Sequence, residues 1–183
     1  VTTIAFEDEM GIYGDVSEDV DSEIEPMHME ELPITIFVDA DHAHDQENRR
    51  SVTGVVIFVG RTPVKWISKR QKTVETSTYG SELSAMRTAT EEAMGLRYVM
   101  RSLGMPVSQP ALVLGDNLGV VQSAGATAGR LKKKHVALSF HRVREAVAAG
   151  ITAIAHIPSE TNVADIATKP LATNKHRDLV SMI

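Results

Sequence analysis

Three β-rich runs follow one another in the first half of the chain, and only short segments separate the second from the third. The first run, residues 34–40, alternates apolar side chains with others and contains Asp39. The second, Val52–Val59, is almost entirely β-branched, and a turn at Gly60–Pro63 leads into the third, Val64–Ser68. A short turn between two such runs favours a hairpin. The sequence therefore predicts three antiparallel strands in succession.

The second half of the chain alternates helix and strand patterns. Apolar residues recur every three or four positions from Leu83 to Leu103, which predicts a long helix. The remaining predicted elements are a short strand at Ala111–Leu114, a short helix at Leu118–Ala124, a long helix from Val136 to Val147, a strand at Ile151–Ile157 and a helical piece at Asn162–Thr168. This βββαβαβα order predicts an α/β fold with a five-stranded mixed sheet, three antiparallel then two parallel strands, flanked by helices.

Charge is distributed unevenly along the chain. Of 24 acidic residues, eleven lie in residues 1–33, which contain no Lys or Arg, so the rest of the chain has 13 acids against all 19 bases. Residues 1–33, here called the acidic leader, are interpreted as a flexible connector, and residues 34–183 as one domain. The net charge of −5 therefore does not argue against a nucleic-acid partner, because the body of the protein is basic.

Several kinds of chemistry are excluded by composition and motif. The absence of cysteine excludes disulfides, thiol catalysis and Cys-containing zinc sites. Phosphate-binding glycine loops, a G-x-S-x-G elbow and an H-E-x-x-H pair are also missing. No membrane-length apolar run or signal peptide is found, so a soluble, intracellular chain is expected.

Four carboxylates lie at the ends of predicted strands or in the early turns of predicted helices. They are Asp39, Glu82, Asp116 and Asp165. Each has an ordinary explanation on its own, as a turn former, a helix N-terminal charge, a cap or a solvated helix residue. Strand ends can bring all four together, however, and clustered carboxylates require cations such as Mg²⁺ or Mn²⁺.

The order of several motifs resembles the ribonuclease H domain that follows the reverse transcriptase in Ty1/copia-type retrotransposon polyproteins. The motifs are Phe37–Ala43, Arg49–Gly54, Trp66–Ser77, Gly115–Asn117, Lys133–His135, Phe140–Glu145 and Asn162–Leu171. In the acidic leader, Tyr13–Asp15 is similar to the acidic connector that precedes this domain in some copia elements. This sequence departs from the family pattern at two positions. His44 lies where many members have Gly, and Gly80 lies where many have an additional Glu.

The resemblance implies a ribonuclease H-like fold and endonucleolytic hydrolysis of the RNA strand of RNA–DNA hybrids. It places the metal-binding carboxylates on the same four acids, with two Mg²⁺ ions, or Mn²⁺ as a substitute. Asp39 is expected to bridge both ions, Glu82 and Asp116 to bind one, and Asp165 the other. His156 is a further candidate for a catalytic role.

Other residues are candidates for contact with the hybrid. They are Ser77 and Asn117, together with basic residues that could face phosphates. The basic candidates are Arg49, Arg50, Lys69, Arg70, Lys72, Arg130, Lys132, Lys133 and Lys134. A run such as Lys132–Lys134 is equally well explained as a solvated helix start.

The resemblance also implies a reverse transcriptase domain as partner and a location in the cytoplasm, within retrotransposon particles. We therefore expect the chain to be a fragment of a longer polyprotein. Two alternatives remain: a catalytically silent binding or connection module of the same fold, and a transposase- or integrase-type nuclease.

Overall fold

The computed structural model describes residues 31–43, 45, 47–125 and 136–183. The predicted connector therefore lies almost wholly outside the described residues, as do His44, Arg130 and Lys132–Lys134. No helix in the described part of the chain is long and apolar enough to cross a membrane.

Five strands form one mixed sheet within the described residues. They are β1 (Ile34–Asp41), β2 (Val52–Val59), β3 (Thr62–Arg70), β4 (Ala111–Gly115) and β5 (Thr152–His156). Their order in the sheet is β3-β2-β1-β4-β5. The pairs β1–β2 and β2–β3 are antiparallel, whereas β1–β4 and β4–β5 are parallel. The predicted arrangement of three antiparallel and two parallel strands is confirmed.

The described ranges also contain four α-helices and two short 3₁₀ helices. The α-helices are α1 (Thr78–Ser102), α2 (Leu118–Gly125), α3 (Ala137–Ala148) and α4 (Thr173–Val180). The 3₁₀ helices are Ser159–Thr161 and Val163–Ala167. The second coincides with the helical piece predicted at Asn162–Thr168.

The two faces of the sheet are covered differently. On one face, alternate residues of β1 such as Ile36 and Val38 pack against Leu83 and Met86 of α1 in the main core. On the other face, Val56 and Phe58 of β2 pack with Val163 in a smaller cluster. Successive side chains of a strand point to opposite faces. Phe37 and Asp39 therefore point toward the 3₁₀ helix Val163–Ala167. The predicted carboxylate site forms at the edge of this smaller cluster.

Two element boundaries differ from the prediction, and one helix was not predicted. The turn before β3 is shorter than Gly60–Pro63, because β3 already begins at Thr62; Gly60 makes this tight turn possible with φ +61°. Helix α1 begins at Thr78, so Glu82 lies one turn inside it and does not open it. Helix α4 was not predicted, because Leu179 is its only buried residue and a short polar segment shows no apolar periodicity.

Candidate active site

Asp39 and Asp116 are brought together by the parallel pairing of β1 with β4. Val38 is the register partner of Gly115, so Asp39 and Asp116 follow directly on adjacent strands. Neighbouring strands lie about 4.8 Å apart, which places the two carboxylates side by side. Gly115 suits this position because a Cβ there would lie 3.1 Å from the Met86 side chain.

Glu82 reaches the same place from α1. The side chain of Ser77 caps the helix by accepting a hydrogen bond of 3.3 Å from the main-chain N–H of Gly80. Leu83 and Met86 are buried in the main core, and they fix the rotation of the helix. Glu82 is itself 8% exposed and lies against the end of the sheet.

The three carboxylates form a compact cluster. One oxygen each from Asp39, Glu82 and Asp116 lies within 4.8 Å of the others. Burial and the nearby charges of Asp39 and Asp116 raise the pKa of Glu82 to about 9. Burial also raises the pKa of Asp39, although Thr168 and Lys169 oppose this. Closely spaced carboxylate oxygens that repel one another suit a hard divalent cation, so these three residues fit one such ion.

Asp165 adjoins this cluster but has other partners. It lies in the 3₁₀ helix Val163–Ala167 and is completely buried, which excludes its interpretation as a solvated residue. Its Oδ1 lies 2.8 Å from Nζ of Lys169, and its Oδ2 lies 2.5 Å from Nζ of Lys175. Burial alone would raise the pKa of Asp165, but these two ammonium groups outweigh it and lower the pKa below the usual aspartate value. Both carboxylate oxygens of Asp165 therefore face lysines.

The segment that carries Asp165 is held tightly against the sheet at Gly54. A Cβ at Gly54 would lie 2.5 Å from Cγ2 of Thr168 and 2.7 Å from the main-chain oxygen of Ala164. Ser68 of β3 donates a hydrogen bond of 2.6 Å to the main-chain oxygen of Ala167. This close approach positions the segment from Asp165 to Lys169 beside Asp39.

Hydroxyl groups provide further contacts to two of the acids. Thr168 donates a short hydrogen bond from Oγ1 to Oδ2 of Asp39. Ser159 donates a hydrogen bond of 2.6 Å from Oγ to Oδ2 of Asp116. Each of these contacts orients one carboxylate, because it ties one of the two oxygens to a fixed donor.

His156 lies at the end of β5, close to Asp116. Its Nε2 is 3.1 Å from the main-chain oxygen of Asp116, and the residue is exposed. This places the imidazole at the rim of the cluster. Its catalytic role stays a prediction.

The other candidate contacts lie around the same end of the sheet. Asn117 directly precedes α2, and its Oδ1 accepts a hydrogen bond of 3.2 Å from the N–H of Val120. The described basic candidates are all exposed: Arg49, Arg50, Lys69, Arg70 and Lys72. Arg70 forms an ion pair of 3.0 Å with Asp45. Lys69 is paired with Thr53 of β2, and Asp39 of β1 is paired with Gly54, so the backbone at Lys69 lies two strands away from Asp39, at a distance of about 10 Å.

Sequence reasoning assigned no role to several residues of the site. Lys169 and Thr168 belong to a motif that was singled out, but their contacts with Asp39 were not foreseen. Lys175 lies in the helix that was not predicted. The spacing of Lys169 four residues after Asp165 is a signal that could have suggested an ion pair.

The chain is similar to parts of several retrotransposon polyproteins, although no family model matches it. It is 27% identical over 152 residues to the retrovirus-related Pol polyprotein from transposon RE1 of Arabidopsis thaliana, covering 83% of this chain and 10% of the polyprotein. It is 29% identical over 141 residues to the RE2 polyprotein of Arabidopsis thaliana, and this match covers 77% of this chain and 10% of the polyprotein. It is 29% identical over 149 residues to the TNT 1-94 polyprotein of Nicotiana tabacum, and this match covers 80% of this chain and 11% of the polyprotein. The chain thus spans about a tenth of these relatives.

Solved structures with a similar fold include ribonucleases H. RNase H1 of Halobacterium salinarum NRC-1 has a TM-score of 0.56 at 18% identity, covering 80% of this chain and 98% of that one. LC11-RNase H1 in complex with an RNA/DNA hybrid has a TM-score of 0.58 at 19% identity. The match covers 74% of this chain and 93% of that one. The foamy viral protease-reverse transcriptase, also bound to an RNA/DNA hybrid, has a TM-score of 0.55 at 17% identity. The match covers 89% of this chain and 23% of that one. The predicted ribonuclease H-like fold is confirmed, as is the resemblance to this domain of copia-type polyproteins.

Proposed function

We propose that this domain is a metal-dependent ribonuclease H that cleaves the RNA strand of RNA–DNA hybrids. The observation that carries the proposal is the convergence of three carboxylate oxygens, from Asp39, Glu82 and Asp116, within 4.8 Å of one another. They lie on three different elements of a ribonuclease H fold. A structural module without chemistry gains nothing from this arrangement, because like charges at this distance destabilise the folded protein.

These three carboxylates would hold a divalent ion, Mg²⁺ or Mn²⁺. When bound, such an ion supplies Lewis-acid chemistry to a phosphate and lowers the pKa of a coordinated water. The protein residues orient the ligands: Ser159 holds one oxygen of Asp116, and Thr168 holds one oxygen of Asp39. These donors restrain the two carboxylates, so less reorganisation is needed on binding.

The exposed bases beside the cluster support a nucleic-acid substrate. Arg49, Arg50, Lys69 and Lys72 are exposed and lie at the end of the sheet that carries the acids. Their contacts would be to phosphates, which gives affinity without sequence selectivity. Ser77 and Asn117, at the starts of two helices, are the candidates for contacts within the groove, where a 2′-hydroxyl distinguishes RNA from DNA.

We propose a reverse transcriptase domain of the same polyprotein as the partner. Two findings support it: the matched relatives are Pol polyproteins, and the foamy viral structure with a similar fold is a protease-reverse transcriptase. A location in the cytoplasm, within retrotransposon particles, is part of the same proposal.

The test is cleavage of an end-labelled RNA–DNA hybrid with Mg²⁺ or Mn²⁺, beside RNA–RNA and DNA–DNA duplexes of the same sequence. The wild-type chain should cut only the RNA strand of the hybrid and leave 5′-phosphate ends. Asp116→Asn should abolish this, and Asp178→Asn, the same change at an exposed position of α4, should not. Cutting of duplex DNA would favour a transposase-type nuclease. Binding of the hybrid without cleavage would favour a silent module.

A further inference from the structure

Lys169 lies between two carboxylates of the site. Its Nζ is 2.8 Å from Oδ1 of Asp165 and 3.4 Å from Oδ2 of Asp39. The other oxygen of Asp165 is paired with Lys175. Among the described residues, therefore, the space between Asp39 and Asp165 is taken by an ammonium group.

The backbone holds Lys169 in this place. Its main-chain N–H donates a hydrogen bond of 3.3 Å to the main-chain oxygen of Asp165, and the preceding Thr168 is buried and bonded to Asp39. Pro170 follows and disfavours helical backbone at Lys169, so the 3₁₀ helix does not continue. The Lys169 side chain is only 34% exposed, which is low for a lysine at the protein surface.

A two-ion site would need this same space. In two-metal phosphoryl transfer the ions lie about 3.5–4 Å apart and share a bridging ligand. With Asp39 as that bridge and Glu82 and Asp116 on the first ion, the second ion would lie between Asp39 and Asp165. An ion there would meet the ammonium group at contact distance, where like charges repel strongly in a partly buried site.

We propose that the ammonium group of Lys169 takes the place of the second metal ion, so that this active site binds one divalent ion and not two. The inference rests on the proposed function and departs from the two ions expected from the sequence. Asp39, Glu82 and Asp116 hold the single ion. Lys169 supplies the second positive charge, on the side where the leaving 3′ oxygen of the RNA strand becomes negative.

Lysine chemistry suits this role. An ammonium group carries a fixed positive charge near neutral pH, and its three donors can contact two carboxylates and one phosphate or leaving oxygen together. Lys175 differs from Lys169 because it contacts Asp165 and the main-chain oxygen of Ser159, at 3.2 Å. It therefore serves to neutralise Asp165 and provides a matched control for the experiment.

The experiment counts Mn²⁺ ions per chain by calorimetry and by electron paramagnetic resonance, at the concentrations that support cleavage. It uses the wild-type chain, Lys169→Met and Lys175→Met, each alone and with a hybrid whose RNA strand carries 2′-O-methyl groups that prevent cleavage. Wild type and K175M should bind one ion. K169M should bind two, and its two close Mn²⁺ ions should show spin coupling. Lys169→Gln, which keeps hydrogen-bond donors but removes the charge, replaces K169M if that variant does not fold.

The outcomes separate the inference from the proposed function. Two ions in the wild type, with or without hybrid, would overturn the role of Lys169 even if the hybrid is cleaved. One ion in both K169M and K169Q would overturn it as well, because Lys169 would then not be what excludes the second ion. A wild-type chain that neither binds Mn²⁺ nor cleaves the hybrid would overturn the inference together with the proposed function.

Discussion

Asn162 donates a hydrogen bond of 3.0 Å from its side-chain amide to the main-chain oxygen of Val38, the residue before Asp39. The same side chain accepts a hydrogen bond of 3.2 Å from the N–H of Ala164 and so caps the 3₁₀ helix that carries Asp165. One buried amide thus ties the two carboxylate-bearing segments together, although 124 residues separate the bonded pair.

Asn162→Ala should lower the free energy of unfolding by about 2 kcal/mol, because it removes the amide donor to the buried Val38 carbonyl oxygen and the side-chain cap of a helix N-terminus. Urea unfolding measures this. Asn174→Ala, at an exposed position of α4, should change stability by less than about 0.5 kcal/mol. Equal effects of the two changes would show that the Asn162 contacts do not contribute.

Two glycine-to-alanine changes should have opposite effects on stability. Gly54→Ala places a Cβ 2.5 Å from Thr168 and should lower the free energy of unfolding by roughly 1–3 kcal/mol, because the packed segment must move. Gly95→Ala, inside α1 with nothing within 4 Å of the added Cβ, should raise it by about 0.5–1 kcal/mol. Thermal melts of both variants test the pair. A Gly54→Ala protein as stable as wild type would contradict the close approach of the two segments.

The stability of the metal-free protein should fall as pH rises, through Glu82. Its pKa is about 9 in the folded protein and near 4.5 in the unfolded chain, so the folded state binds more protons between these values. The loss of stability therefore begins near pH 4.5 and is complete above about pH 9. Glu82→Gln mimics the neutral carboxyl group and should remove this contribution.

Urea midpoints of wild type and Glu82→Gln, measured in a chelator from pH 5 to pH 9, provide the comparison. The advantage of the variant should grow steadily with pH. Parallel profiles would mean that Glu82 titrates near its ordinary pKa.

Hybrid binding should depend on salt through the exposed bases of β3 and the residues after it. Replacing Lys69 and Lys72 by Ala should reduce the slope of log affinity against log salt concentration by about 2, or about 1 for each lost phosphate contact. Lys65→Ala, on the same strand but paired with Glu92 at 2.5 Å, should leave the slope unchanged. Fluorescence anisotropy with an uncleavable hybrid measures both, and equal slopes would exclude Lys69 and Lys72 from the interface.

The sequence by itself determined the order of the five strands, the order of the helices as far as the 3₁₀ helix Val163–Ala167, and the positions of the four acids. This was possible because strands and long helices have regular periods, and because Asp39 and Asp116 come at the ends of such patterns. The parallel pairing of β1 with β4 then follows from the crossover through α1. The convergence of Asp39, Glu82 and Asp116 could therefore be predicted before their distances were known.

Only the tertiary structure decided which partners these acids have. The bond from Thr168 to Asp39 joins residues 129 positions apart, and Lys175 reaches Asp165 from a helix whose sequence has no apolar period. Such contacts depend on the close approach at Gly54 and on individual side-chain directions, which leave no periodic trace in a sequence. For that reason Asp165 could be recognised as a carboxylate of the site, but its burial between Lys169 and Lys175 could not be foreseen.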